Sequence, residues 1–227
     1  MPQSLSQFIA LLNMRRMKAE EFFSKDMEIE FAKAIERGNT KKMRSIINNG
    51  LDINAQGKDG INFLTWAFLK FRKDSFEFLI RNGADPNLKN DRGYSVVAFA
   101  AMAKDIHYLQ LLLRNGADPN TTVPLKTRPI LSVCVAARKK DFVELLIRFG
   151  ADINLQDKGG YTPMAAGMVH NQYDTIYRLL KLGADPTLTD RFGRNLYDMM
   201  KTQPDNLNEE FAYWKQKVTD FLAEYEW

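Results

Sequence analysis

The stretch Leu179-Leu180-Lys181-Leu182-Gly183-Ala184-Asp185-Pro186 decides the fold, because four near-copies of its centre precede it. They read Asn49-Gly50-Leu51-Asp52, Asn82-Gly83-Ala84-Asp85, Asn115-Gly116-Ala117-Asp118 and Phe149-Gly150-Ala151-Asp152. The five glycines are spaced by 33, 33, 34 and 33 residues. A fixed period of that length marks a stack of like supersecondary units.

Working upstream from each glycine, a leucine-rich helix face recurs: Phe78-Leu79-Ile80, Leu111-Leu112-Leu113, Leu145-Leu146-Ile147 and Leu179-Leu180. The glycine ends that helix in a left-handed C-cap, which a residue without Cβ adopts freely. The aspartate that follows can accept from turn amides. Before each leucine-rich helix the pattern predicts a shorter one, over 63–71, 96–103, 129–137 and 163–170. Asn62, Ser95 and Thr162 stand at its start, Asn195 keeps the same phase, and all are good N-caps. Pro163 after Thr162 and Pro129 after Arg128 suit the first helical position. Extended arms join the units and turn at Asp59-Gly60, Asp91-Arg92-Gly93, Asp157-Lys158-Gly159-Gly160 and Asp190-Arg191-Phe192-Gly193. The extra residue of the longer interval is expected between Pro129 and Gly150, near Arg138-Lys139-Lys140.

The ends of a stack need covers. Residues 28–36 and 40–48 form a first helix pair with no arm before it, and 4–23 are expected to add a helix. Leu207, Phe211, Trp214, Val218, Phe221, Leu222 and Tyr225 recur at helical spacing and predict a terminal helix whose apolar stripe seals the array. The expected organisation is an N-terminal helix over 1–25, a repeat array over 26–204 and a capping helix over 205–227. The fold class is an all-α solenoid of helix-turn-helix units with short β-hairpin fingers.

With 45% hydrophobic residues the chain can bury a substantial core. Its net charge is +4, but the segment from Asp205 onward holds six acidic and two basic residues, so the body is more basic than the whole. A basic body favours acidic partners and fast encounter. The single cysteine, Cys134, excludes an internal disulfide and fits a reducing compartment. The apolar run Phe8-Ile9-Ala10-Leu11-Leu12 has its basic residues, Arg15-Arg16, on the wrong side for a secretory signal. No stretch reaches the roughly 18 apolar residues of a membrane span. The expected location is cytoplasmic, or periplasmic if a leader precedes this sequence.

No catalytic constellation is visible, and the expectation is a non-enzyme with no cofactor, metal or small-molecule substrate. His107 and His170 do not form a metal-ligand pair, and Cys134 between Val133 and Val135 reads as a small buried residue. The phrase from Gly50 to Gly57-Lys58 has the wrong spacing for a phosphate loop.

The segment Gly160-Tyr161-Thr162-Pro163-Met164-Ala165-Ala166, continued to Gly183-Ala184-Asp185-Pro186, resembles the ankyrin repeat. Thr65, Ala98, Leu131 and Ala165 stand where that family carries a histidine, and the finger from Thr121 to Thr127 lacks an Asp or Gly at its turn. The resemblance implies that fingers and first helices line up as one recognition surface for a protein partner. Carried onto this chain, the finger residues are Lys58, Asp59 and Ile61; Lys89, Asp91, Arg92 and Tyr94; Pro124, Leu125 and Lys126; Lys158 and Tyr161; and Arg191, Phe192 and Arg194. The first helices add Trp66, Leu69, Lys70, Met102 and His170. Each finger brings a cation, and Tyr94, Tyr161 and Phe192 are suited to anchor an interface with an acidic protein. Val123-Pro124-Leu125 is expected as an apolar tip that enters a partner's pocket.

The Gly-Ala-Asp-Pro-Asn endings, Leu64-Thr65-Trp66-Ala67 and Ser95 to Ala101 also resemble a bacterial group of ankyrin proteins that protect their producer from secreted toxins, lipases among them. That implies an immunity protein binding a cognate toxin. The alternatives are an adaptor or host-directed effector recruiting cellular proteins, and a nucleic-acid binder. The last would need cations converging at phosphate spacing.

Overall fold

The computed structural model describes residues 17–124, 127–203 and 209–224. Among them are twelve α-helices: α1 (Asp26–Glu36), α2 (Thr40–Asn48), α3 (Phe63–Leu69), α4 (Lys73–Arg81), α5 (Val96–Met102), α6 (Ile106–Arg114), α7 (Ile130–Ala136), α8 (Lys140–Arg148), α9 (Pro163–Met168), α10 (Tyr173–Lys181), α11 (Leu196–Lys201) and α12 (Glu209–Ala223). An antiparallel pair, β1 (Thr122–Val123) with β2 (Arg128–Pro129), forms the described part of the third finger. The chain divides into two compact units, residues 1–99 with 111–117 and residues 100–110 with 118–227.

The caps are where the sequence places them. The Asn62 side chain accepts from the Thr65 amide at 2.8 Å, Thr162 from Ala165 at 3.2 Å and Asn195 from Asp198 at 3.0 Å. The five glycines that end the second helices all take φ between 85° and 95°. After each, the aspartate folds back: the Oδ1 atoms of Asp52, Asp85, Asp118, Asp152 and Asp185 accept from the amides of Asn54, Asn87, Asn120, Asn154 and Thr187 at 2.8–2.9 Å. The asparagine then reaches the neighbouring repeat. Asn54 Oδ1 accepts from the Asp85 amide at 2.8 Å, and Asn154 Oδ1 from the Asp185 amide at 2.9 Å. One short polar motif thus shapes its own turn and fixes the spacing to the next.

In the first unit α1 packs on α2 and α3 on α4, with α1 against α3 and α2 against α4. Its core is aromatic: Phe23 stacks on Phe63 at 4.7 Å between centroids, Phe31 meets Phe63 edge-on at 4.8 Å, and Phe22 and Phe23 flank Trp66 at 5.2 and 5.7 Å. The helix expected over 4–23 falls largely outside the described residues; from Met17 onward the chain makes a 3-10 turn, Ala19–Glu21, before α1.

In the second unit α7 packs on α8, α9 on α10, and α9 lies between α7 and α11. Helix α12 lies against α10, where Trp214 and Phe221 meet Tyr177 at 5.8 and 6.4 Å and Val218 and Leu222 are buried. Leu207 and Tyr225 of the expected stripe lie outside the described residues. Among those described, no helix is long and apolar enough to cross a membrane.

The extra residue lies elsewhere than the sequence suggests. Helices α3, α5, α7 and α9 start at 63, 96, 130 and 163, so the longer interval falls before α7, within the third finger. Pro129 is therefore the N-cap of α7 and the second residue of β2, not the first helical residue. Ser132, not Leu131, accordingly occupies the position of Thr65 and Ala165. The phrase Arg128-Pro129 imitates Thr162-Pro163 closely enough to shift the register by one.

Candidate functional site

In three fingers the turn is organised by a side chain that accepts backbone amides beyond it. Asn90 Oδ1 accepts from Arg92 and Tyr94, Asp157 Oδ1 from Gly159 and Tyr161, and Asp190 Oδ1 from Phe192 and Arg194, all at 2.7–3.1 Å. The residues between are thrown outward. In the first unit this exposes Lys58, Asp59, Lys89, Asp91 and Arg92; in the second it exposes Lys158, Arg191 and Phe192.

Neighbouring fingers join through backbone. The Asp91 amide donates to the Asp59 carbonyl at 3.1 Å, and the Arg191 amide donates to the Gly159 carbonyl at 2.9 Å. Gln56 Nε2 spans to the Lys89 carbonyl and Gln156 Nε2 to the Thr189 carbonyl, each at 2.9 Å. The glycine beside each junction has no room for a side chain: a Cβ on Gly60 would sit 2.6 Å from the Asp91 nitrogen, and one on Gly160 would sit 2.9 Å from Asp190 Cα.

Several expected contact residues lie elsewhere. Ile61, Trp66 and Leu69 are core residues at 2%, 0% and 4% exposure, so none of them reaches a partner. Trp66 is covered by Phe22 and Phe23, which the repeat pattern does not include. Lys70 is half-buried, 3.2 Å from Glu36, with its ammonium 4.3 Å from the Trp66 ring centroid. Tyr94 is half-buried and stacks on Phe99 at 5.4 Å. In the second unit Met102, Pro124 and Tyr161 are half-buried and His170 is exposed. Val123 is buried in β1, which removes it from the apolar tip; Leu125 and Lys126 lie outside the described residues.

Phe192 is the most prominent tip, 62% exposed, with the guanidinium carbons of Arg191 and Arg194 at 4.7 and 5.2 Å from its centroid. Arg194 donates from Nε and Nη2 to Asp190 Oδ2 at 3.0 and 2.7 Å and from Nη2 to Tyr161 Oη at 3.3 Å. Burial pushes the Asp190 carboxyl up, but the bonds from Arg194 and from the Phe192 amide outweigh it and hold the group below the usual carboxylate range. The last finger is thereby held rigid beneath its displayed ring.

Exposed apolar residues outside the expected contacts include Val169, 67% exposed, and Tyr197, 46% exposed beneath the Lys201 ammonium at 4.1 Å. Tyr197 did carry a signal. Its phase is held by Leu64, Val97, Leu131 and Met164, all buried, so a tyrosine there breaks an otherwise aliphatic position.

Among the described residues no three His, Cys, Asp or Glu side chains come together as a metal site. Cys134 is buried, with Sγ 3.7 Å from the Ala101 carbonyl, and burial pushes its thiol up to about 12. It has no thiolate character to offer as a nucleophile. Lys139 reaches the carbonyls of Ala101 and Ala103, capping the end of α5, and burial lowers its pKa.

Residues 97–190 match the family model described as ankyrin repeats in three copies. Of the solved structures similar to this chain, an ankyrin repeat domain from Acinetobacter baumannii AYE has a TM-score of 0.71 at 21% identity, covering 84% of this chain and 96% of that one. A second ankyrin repeat protein has a TM-score of 0.68 at 22% identity, covering 87% and 98%. The human transient receptor potential cation channel subfamily A member 1 is 33% identical over 79 residues. The Caenorhabditis elegans ankyrin repeat and LEM domain-containing protein 1 homolog is 30% identical over 76 residues. These matches span 34% of this chain but only 7% and 11% of those two proteins. The chain carries ankyrin repeats and the ankyrin-repeat fold, a scaffold for protein–protein interaction.

Proposed function

We propose that this chain is a non-enzymatic binding protein that holds an acidic protein surface with its finger tips, and that the partner is a secreted toxin whose action it blocks. The observation that carries the binding mode is the finger chemistry. Lys58, Lys89 and Arg92 in one unit, and Lys158 and Arg191 in the other, project from turns whose backbones are fixed by hydrogen bonds. Cations on rigid supports meet an acidic surface with little ordering loss, and Phe192 supplies an anchor of the kind that dominates interface energies. The toxin as partner rests on the sequence resemblance to bacterial immunity proteins.

The test is purification from the native organism with mass spectrometry of the co-purifying protein, followed by the triple variant Arg92→Glu, Lys158→Glu, Arg191→Glu. Affinity for that protein should fall at least about a hundredfold, through three lost charge contacts, with an unchanged melting temperature. Unchanged affinity would move the interface to another face. Stoichiometric loss of the partner's toxic activity on binding supports the immunity role; a partner without such activity leaves an adaptor.

A further inference from the structure

The fingers carry a directional joint, and in the last finger no described residue fills it. At both junctions resolved within a unit, the following finger lays its backbone against a glycine of the preceding one and donates an amide to the carbonyl just before that glycine. In the last finger the same elements are Gly193, at φ 72°, and the Phe192 carbonyl. No described atom lies within 4 Å of where a Cβ on Gly193 would be. Four residues further along the chain Tyr197 is exposed where its counterparts are covered, and an open cleft of about 190 Å³ runs between Tyr197, Met200 and Lys201 of α11 and Thr219 and Leu222 of α12.

We propose that this edge is a docking site for an acidic turn of a partner protein. The turn lies against Gly193 as Thr189-Asp190 lies against Gly160, and it donates a backbone amide to the Phe192 carbonyl. The charge of the edge selects the occupant. The cations of this segment are Arg191, Arg194 and Lys201; its carboxylates are Asp190, buried beneath Arg194, and Asp198, 3.9 Å from Lys201. A second copy joined head to tail is excluded by the first unit, whose first finger already has its joint filled by Phe22: the Lys58 amide donates to that carbonyl at 2.7 Å. The proposal rests on reading the fingers as a protein-binding surface, but needs neither a toxin nor the tips of the other fingers.

The probe is therefore a synthetic one. A disulfide-closed peptide of the chain's own last finger, 187–195, with Arg191→Glu and Arg194→Glu, is titrated into the isotope-labelled full chain and followed by amide chemical shifts. Shifts are expected at Phe192 to Asn195 and at Tyr197. Affinity should drop about tenfold when the peptide amide at the first glutamate is methylated, the scale of one lost hydrogen bond. It should drop similarly in Gly193→Asn, since asparagine tolerates the left-handed backbone but fills the face, and for the unaltered basic peptide. An acidic peptide that leaves these amides unmoved, or binds as well after methylation, overturns the proposal. The methylated peptide decides the matter even if Gly193→Asn fails to fold. Loss of native-partner binding in the double variant Arg92→Glu, Lys158→Glu, which leaves this edge intact, separates the two readings.

Discussion

The Lys58 amide donates to the Phe22 carbonyl at 2.7 Å, in the register at which Asp91 donates to Asp59 and Arg191 to Gly159. A segment outside the repeat pattern thus stands in for a finger that the sequence lacks. Gly57 makes room for it at an ordinary extended backbone of φ −90°, so a substitution there acts by sterics alone. A Cβ would lie against the Phe22 oxygen and 2.9 Å from Phe23 Cδ1. Gly57→Ala should lose about 2 kcal/mol, as overpacking against backbone does, and lower the thermal midpoint of the first unit. An unaltered midpoint would mean that this cap does not bear on stability.

Gly160 and Gly193 have nearly the same backbone, φ 75° and 72°, but different surroundings. Alanine at Gly193 meets only the left-handed penalty of about 1 kcal/mol. Alanine at Gly160 adds contacts of 2.9 Å with Asp190 Cα and the Thr189 oxygen, and should lose roughly 2–4 kcal/mol in all. Denaturant unfolding of the pair separates backbone strain from finger packing. Equal losses would refute the junction geometry.

Trp214 covers Tyr177 on α10 and is itself half-buried. Trp214→Ala should remove about 2 kcal/mol, since only part of the side chain leaves water on folding, and α12 should then exchange its amide hydrogens faster than α10. A neutral substitution would mean that α12 is not the seal of the array.

The depressed Asp190 carboxyl makes a sign prediction. Its contribution is complete above the unfolded carboxyl pKa of about 3.9 and is lost as pH falls through the lower folded value. Asp190→Asn should flatten the acid limb of the stability curve below about pH 4 and leave the neutral-to-alkaline slope alone. An unchanged acid limb would mean that the Arg194 bonds do not persist in solution.

Most of the scaffold was legible because its punctuation is chemical. The Gly-Ala-Asp phrases encode a left-handed cap, a close approach and an amide acceptor, and each Asp52-type turn forms as the residues demand. The third finger departs from the expected register because Arg128-Pro129 looks like a cap followed by a helical proline, while its turn places Thr127 at φ 49° without glycine. The displayed surface was harder to read. Periodicity puts Ile61 and Trp66 beside the tips, but Phe22 and Phe23 come from outside the period and close over Trp66. Conversely, Tyr197 is exposed at a phase where Leu64, Val97, Leu131 and Met164 are buried, and only its change from aliphatic to tyrosine hints at that.

The lone sulfhydryl at Cys134 gives the molecule a built-in clock. Sealed inside the second unit with its proton held tightly, it can be alkylated only during excursions that part α7 from its surroundings. The pace of single-site labelling therefore counts the breathing of that unit alone, while events around Trp66 pass unrecorded.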